Sequence, residues 1–329
     1  MVERFVASRW NVPVDRLEVR LEALSGGLES RVALAEIVHR STEAVPRHVI
    51  VKELRGHSER EPAIYRALWQ HLGEPPSPRL FGEEVVGDRR YLYLEAVLDR
   101  PPWPWAEAEH AAAVCRELAR LHHTRRLPRE LFAWDYEPYL RDSAVETMNV
   151  ARLARDGSGA RYWTRMGDLR RVVDALPALR SRLLASETVV LHGDVHPGNV
   201  MLEPGGGTPR VTLIDWSRAR VGAPMEDVAS WLHSLGCWEP QARRRHDTLV
   251  RAYLAARGSS GPLSHTVRRD YWFASVSNGL AGAIRFHLLT LADAASSRSQ
   301  RYNSSLALQA WTRVVRRAAL LSTSGGRYM

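Results

Sequence analysis

Lysine is almost missing from this chain: of its 46 basic residues 45 are arginine, and Lys52 is the one exception. Cysteine is scarce too. Cys115 and Cys237 are the only two, too few for a disulfide framework or a cysteine metal site. No apolar run approaches the roughly 18 residues of a membrane span, and the first ten residues, MVERFVASRW, lack the apolar stretch of a signal peptide. These absences exclude a secreted disulfide scaffold and predict a cytoplasmic protein without a membrane partner. Acidic residues run out in the last third. Residues 231–329 hold 14 arginines against Glu239, Asp247, Asp270 and Asp293, whereas 1–97 has a net charge of −1 and 98–230 a net of zero. All of the +9 excess therefore lies at one end. The arginines there are scattered, with Arg243 to Arg245 the only local run. They clothe helices and form no phosphate-tracking stripe, which speaks against a nucleic-acid partner.

What is present is an ordinary globular composition, 45% hydrophobic and 25% charged over 329 residues, enough at roughly 100–200 residues per domain for two domains or one bilobal unit. The first third reads as strands joined by turns. Leu17 to Leu24, Arg31 to His39, Val49 to Leu54 and Tyr91 to Val97 are rich in β-branched or aromatic residues. Glu59 to Leu72 repeats Ile64, Leu68 and Leu72 at helical spacing, with Pro62 in the first turn. Gly73 to Gly82 reads as the loop that ends this helix. Beyond DRPPWPW (Asp99 to Trp105) the pattern turns helical: Ala106 to His122, then Tyr139 to Leu184 around a Gly157-Ser158-Gly159 break. Asn199 to Leu202 and Arg210 to Ile214 read as two short strands around EPGGGTP. From Met225 the chain is helical to about Leu321, and SGGRYM reads as a frayed tail. The boundary falls near 97–105, giving domains 1–97 and 98–329.

The stretch VVLHGDVHPGNVMLEPGGGTPRVTLIDW (Val189 to Trp216) carries the chemistry. In H-x-D-x-x-x-x-N, Asp194 and Asn199 lie five positions apart, and Asp215 ends a following strand. Asp194 is placed to accept a proton from a hydroxyl, while Asn199 and Asp215 offer hard oxygen ligands for Mg²⁺, which neutralises phosphate charge during transfer. These residues resemble the catalytic loop of the aminoglycoside phosphotransferase and choline kinase-like family, written H-G-D-x-H-x-x-N followed by I-D-W or I-D-F. The chain matches at His192, Gly193, Asp194, His196, Asn199, Ile214, Asp215 and Trp216. The resemblance implies a bilobal protein kinase-like α+β fold, with a small antiparallel-sheet N-lobe that binds nucleotide and a mainly helical C-lobe for catalysis and the acceptor. It also implies an enzyme that moves a phosphoryl group from ATP or GTP, with Mg²⁺, to a hydroxyl of a small molecule.

Other nucleotide-site parts are in place. A kinase needs a cation from its third strand, held by a helix glutamate, and Lys52 sits in VIVKEL. A compact ammonium where every other cation is a planar fork is a physical distinction. Glu61, opening E-x-x-x-Y-x-x-L, is its partner of choice over Glu59 and over Glu53, which alternation turns to the opposite face of the strand. Ser25, Gly26, Gly27 and Ser30 form a glycine-rich turn whose N–H and hydroxyl groups suit phosphates. The backbone of Glu95 and Val97 is the hinge candidate for the base. Asp227 resembles the family's aspartate that bonds the catalytic-loop backbone, making it and His192 supports. For the acceptor the candidates are Trp134, Asp135, Trp231, Arg285 and His287. A polycationic aminoglycoside needs carboxylates, which the last third lacks, although Asp135, Glu137, Asp142 and Glu146 offer some. The expectation is therefore a neutral or anionic hydroxylated acceptor, of nucleoside or glycosylated antibiotic type, ahead of an aminoglycoside or a choline- or homoserine-type metabolite. A basic nucleic-acid-binding protein on a degenerate kinase fold is the competing, non-enzymatic reading.

Overall fold

A computed structural model describes residues 1–24, 31–39, 45–97, 103–156, 166–203 and 209–323. Chain contacts divide it into two compact units. The first comprises Met1–Pro101, Arg125–Leu131 and Val200–Ala219; the second comprises Pro102–Thr124, Phe132–Asn199 and Arg220–Met329.

The first unit opens with helix α1 (Val2–Trp10), for which the sequence gives no warning, closed by Asn11 in the left-handed region. Strands β1 (Leu17–Leu24), β2 (Val32–His39) and β3 (His48–Leu54) follow as an antiparallel meander, then helix α2 (Glu61–His71) and strands β4 (Leu80–Val86) and β5 (Arg89–Glu95). The sheet order is β1-β2-β3-β5-β4. Strand β4 begins inside the expected loop Gly73 to Gly82, a correction that supplies the fifth strand. Val49 and Val51 of β3, Ala35 and Ile37 of β2 and Tyr93 of β5 pack with Val2 and Val6 of α1. Phe5 stacks on Tyr93 at 3.6 Å between centroids. Val2 and Val6 are buried outright, each such side chain contributing about 1.5–3 kcal/mol, so α1 is tied to the sheet by its apolar face and not by its polar composition.

In the second unit α3 (Ala108–His123) buries Ala111, Val114, Cys115, Leu118, Leu121 and His122 on one face. Helices α4 (Tyr136–Asp156) and α5 (Met166–Leu184) follow. Strands β6 (Val189–Leu191), β7 (Val200–Glu203), β8 (Arg210–Leu213) and β9 (Arg220–Gly222) come next. β6 pairs with β9 in the second unit, and β7 pairs with β8 in the first. Helices α6 (Met225–Trp238), α7 (His246–Ala256), α8 (His265–Asn278), α9 (Ile284–Ala292) and α10 (Arg298–Thr323) complete it. The helical run expected from Met225 is interrupted within it: Gly279–Ala283 is a π turn with Gly282 at φ 148°. The glycine-rich turn at 25–30, the Gly157-Ser158-Gly159 break, the center of EPGGGTP (204–208) and the tail from 324 lie outside the described residues. Among those described, no helix is long and apolar enough to cross a membrane.

Candidate active site

In the first unit the alternation of β3 sends Val49 and Val51 toward α1 and Lys52 to the other face. Lys52 is 6% exposed, and its Nζ lies 2.5 Å from Glu61 Oε1 at the start of α2 and 3.0 Å from Asp215 Oδ1. Burial works against the ammonium, but the two carboxylates more than offset it, and Lys52 titrates above its ordinary range. Glu53 points away and is paired with Arg55 at 2.6 Å, while Glu59 is exposed. Glu61 is thus the acid that meets Lys52.

Asp215 follows β8 with φ 61° and ψ 72°, a left-handed conformation uncommon for a residue with a side chain. Its neighbors hold it there. The indole of Trp216 is fully buried and donates to Leu213 O at 2.9 Å, Leu213 N–H donates to Pro76 O, and Arg60 donates to Ala219 O. Such a conformation costs about 1–3 kcal/mol and persists only when its surroundings over-determine it. Here it turns a half-exposed carboxylate back toward Lys52.

In the second unit the loop after β6 carries His192 to Asn199. Gly193 has φ 87°, which favors glycine. Asp227, fully buried on α6, accepts the N–H of His192 and the N–H of Gly193, each at 2.8 Å. Burial pushes its carboxyl up, but His122, His192 and the loop amides hold it below the usual range. The N–H of Asp194 donates to His192 Nδ1 at 3.3 Å, and Asn199 Nδ2 donates to Asp194 O at 3.1 Å. The Asp194 side chain is 30% exposed.

A buried ionic cluster, announced by no local pattern of residues, braces this loop. Arg220 donates to Gly193 O at 3.3 Å and to Glu226 Oε2 at 2.6 Å, and lies 3.8 Å from the centroid of Tyr136. Glu226 also pairs with Arg180, which reaches Glu137. The two guanidinium groups hold Glu226 below its ordinary value against its burial.

The remaining candidates scatter. The N–H of Glu95 donates to Arg79 O, while Val97 is half-buried beyond the strand end. Ser25, Gly26, Gly27 and Ser30 lie outside the described residues. Trp134 is half-buried, 5.4 Å from Tyr136 and 5.3 Å from Tyr139 between ring centroids, and Asp135 is exposed. Trp231 is a packing residue: fully buried, 4.9 Å from Trp105, with its indole N–H on Ala111 O. His287 is also interior, bonded to Ser304 Oγ at 3.2 Å. Arg285 is ion-paired with Glu146.

The family model of the phosphotransferase enzyme family (APH) matches residues 20–266. The chain belongs to this family, and it is a phosphotransferase. Solved structures share its fold across most of its length. An ethanolamine kinase of Plasmodium vivax is 13% identical, covering 93% of this chain and 85% of that one with a TM-score of 0.61. A spectinomycin phosphotransferase, APH(9)-Ia, in complex with ADP and spectinomycin, is 15% identical over 93% of this chain and 94% of that one, with a TM-score of 0.58. The aminoglycoside phosphotransferase APH(3'')-Id of Streptomyces rimosus, in complex with ADP and streptomycin, is 20% identical over 79% and 92%, with a TM-score of 0.55. At these identities the likeness shows the protein kinase-like fold. No curated protein matches the chain.

Proposed function

We propose that the chain transfers the γ-phosphoryl group of ATP or GTP to a hydroxyl of a small molecule, and that the acceptor is neutral or anionic, of nucleoside or glycosylated antibiotic type. The observation that carries the donor half is Lys52, buried between Glu61 and Asp215. A fixed ammonium beside a half-exposed carboxylate suits an α/β-phosphate contact next to a metal ligand. The backbone of Glu95 and Val97 takes the base, and Ser25, Gly26, Gly27 and Ser30 cover the phosphates.

Asn199 and Asp215 would hold Mg²⁺. The donor chemistry fits: the amide nitrogen of Asn199 is committed to Asp194 O, so its oxygen is the end offered to a cation. Among the described residues no group of three or more His, Cys, Asp or Glu side chains forms a metal site, which suits an ion that draws its other ligands from phosphate and water. When bound, the ion neutralizes phosphate charge. Asp194 orients the acceptor hydroxyl and takes its proton, and the rest of catalysis is positioning. Both cysteines are buried free thiols, in keeping with a reducing cytoplasm.

Charge supports the acceptor class. Of the acids that follow Trp134 in the chain, Glu137 and Glu146 are ion-paired with Arg180 and Arg285, Glu146 at the exposed surface, and Asp135 and Asp142 are exposed. A polycation has few partners there. The test is a mass-spectrometric screen for an added phosphate across hydroxylated antibiotics and metabolites, run with ATP and with GTP. Phosphorylation of kanamycin-like polycations alone would reverse the acceptor assignment. Loss of turnover in Asp194→Asn by roughly 10²–10⁴ is expected of a general base, and unchanged turnover would remove Asp194 from that role.

A further inference from the structure

The carboxylate that holds the Asp194 loop is itself held from behind by a chain of side chains whose hydrogen-bond direction is fixed by chemistry. Asp227 Oδ2 receives the N–H of His192 and lies 3.1 Å from His122 Nε2. An ionized carboxylate only accepts, so His122 carries its proton on Nε2. The other ring nitrogen, Nδ1, lies 3.0 Å from the hydroxyl of Tyr253 on α7. That hydroxyl receives a hydrogen bond at 3.1 Å from Arg257 Nη1. In the neutral imidazole that proton leaves Nδ1 as the acceptor, and a guanidinium only donates, so the Tyr253 proton points to His122 Nδ1. Each group therefore has one role: Arg257 donates to Tyr253, Tyr253 to His122, His122 to Asp227, and Asp227 accepts the loop amides.

Burial makes the chain costly to break. Tyr253 is 1% exposed, His122 3% and Asp227 fully buried, so no water replaces a lost partner. Only the far end meets solvent, where Arg257 pairs with the half-exposed Glu187 at 2.7 Å.

We propose that Tyr253 and Arg257 are positioning residues of the phosphoryl-transfer reaction, acting through His122 and Asp227 to fix the backbone that presents Asp194. Their side-chain hydrogen bonds run to His122, to each other and to Glu187. The tyrosine hydroxyl locks the ring nitrogen of His122 that does not face Asp227, and with it the angle at which the imidazole meets the carboxylate. Arg257 polarizes that hydroxyl. The assignment rests on Asp194 being the residue the loop exists to place.

Tyr253→Phe removes only the hydroxyl. Hydrogen exchange of the full-length protein is expected to quicken at the His192 and Gly193 amides by roughly tenfold while the rest of α6 and α7 exchanges as before. Nitrogen-15 spectra are expected to show His122 protonated at Nε2 in the wild type and its Nδ1 signal displaced in Tyr253→Phe. With Mg·ATP and water as acceptor, turnover is expected to fall by roughly tenfold with KM for ATP unchanged. Arg257→Ala gives a smaller loss that Arg257→Lys restores. A wild-type proton on Nδ1 would overturn the proposal, as would loop amides that quicken only in step with the whole unit. Asp194→Asn separates the two readings. If it turns over normally, the reading of Asp194 fails; if it is inactive while Tyr253→Phe leaves loop exchange and turnover unchanged, the relay fails.

Discussion

Replacing Asp227 by asparagine changes one oxygen to an NH₂ group and nothing in volume. Oδ2 serves His192 N–H and His122, whereas Oδ1 serves Gly193 N–H. The asparagine oxygen is expected to keep the doubly used position, which turns its amide against the N–H of Gly193. One charge-assisted bond is lost, worth about 1.5–3 kcal/mol, and a buried donor is left facing a donor. The expected cost is about 3 kcal/mol at neutral pH, read by urea denaturation. The pH dependence follows from sign. The Asp227 carboxyl titrates below its ordinary 3.8, so its contribution is fully present above that value and is lost as pH falls through the lower, folded one. The gap between wild type and variant should be flat from pH 5 to pH 8 and close in acid. Gly193, at φ 87°, is the residue released, so turnover of the folded variant should fall at least tenfold. A cost under about 1 kcal/mol, or a gap that drifts between pH 6 and pH 8, would refute this account of the loop.

Lys52→Arg keeps the charge but asks a planar fork to fit between Glu61 and Asp215; most phosphotransferase activity should be lost, and near-native activity would remove Lys52 from the site. Asp215→Asn should weaken Mg·nucleotide binding, checked by titration calorimetry. His287 is pushed down to about 4 by burial, so below pH 6.5 the unfolded chain binds a proton the folded one refuses, and stability falls by about 2 kcal/mol between pH 7 and pH 5. His287→Asn should lack that share in paired denaturant titrations. Burial raises Cys115 to about 12 and Cys237 to about 11, so neither thiol should react with a disulfide reagent until the protein unfolds.

The loop that carries Asp194 was legible because its chemistry is local: residues a few positions apart must share one turn, and their order survives in the text of the chain. Lys52 was legible through contrast with 45 arginines, and Glu61 through the two-residue alternation that turns Glu53 away. The meander and α2 announced themselves by period. Helix α1 did not, because its anchoring side chains, Val2, Phe5 and Val6, sit among charged neighbors and acquire meaning only against Tyr93. Strand β4 was hidden by prolines upstream, and β6 and β9, three residues each, are too short to show a period. The Arg180–Glu226–Arg220 brace was illegible for another reason. Arg180 and Glu226 lie 46 positions apart, and only the pairing of β6 with β9 tells which arginine meets which acid. Trp231 and His287 show the converse error. Residue types suited to a ligand are equally suited to an interior, and burial decides between them.

The near-absence of lysine gives the molecule a built-in chemical clock. Amine-acylating reagents need a neutral, reachable amine, and the chain's only ε-amine is 6% exposed and flanked by two carboxylates. In the closed fold that nitrogen is spent on Glu61 and Asp215. Each acylation at Lys52 therefore dates a moment when β3 and α2 had parted, and a mass increment mapped to Lys52, apart from the one that the same reagents place on the α-amine of Met1, counts those moments without any label being introduced by mutation.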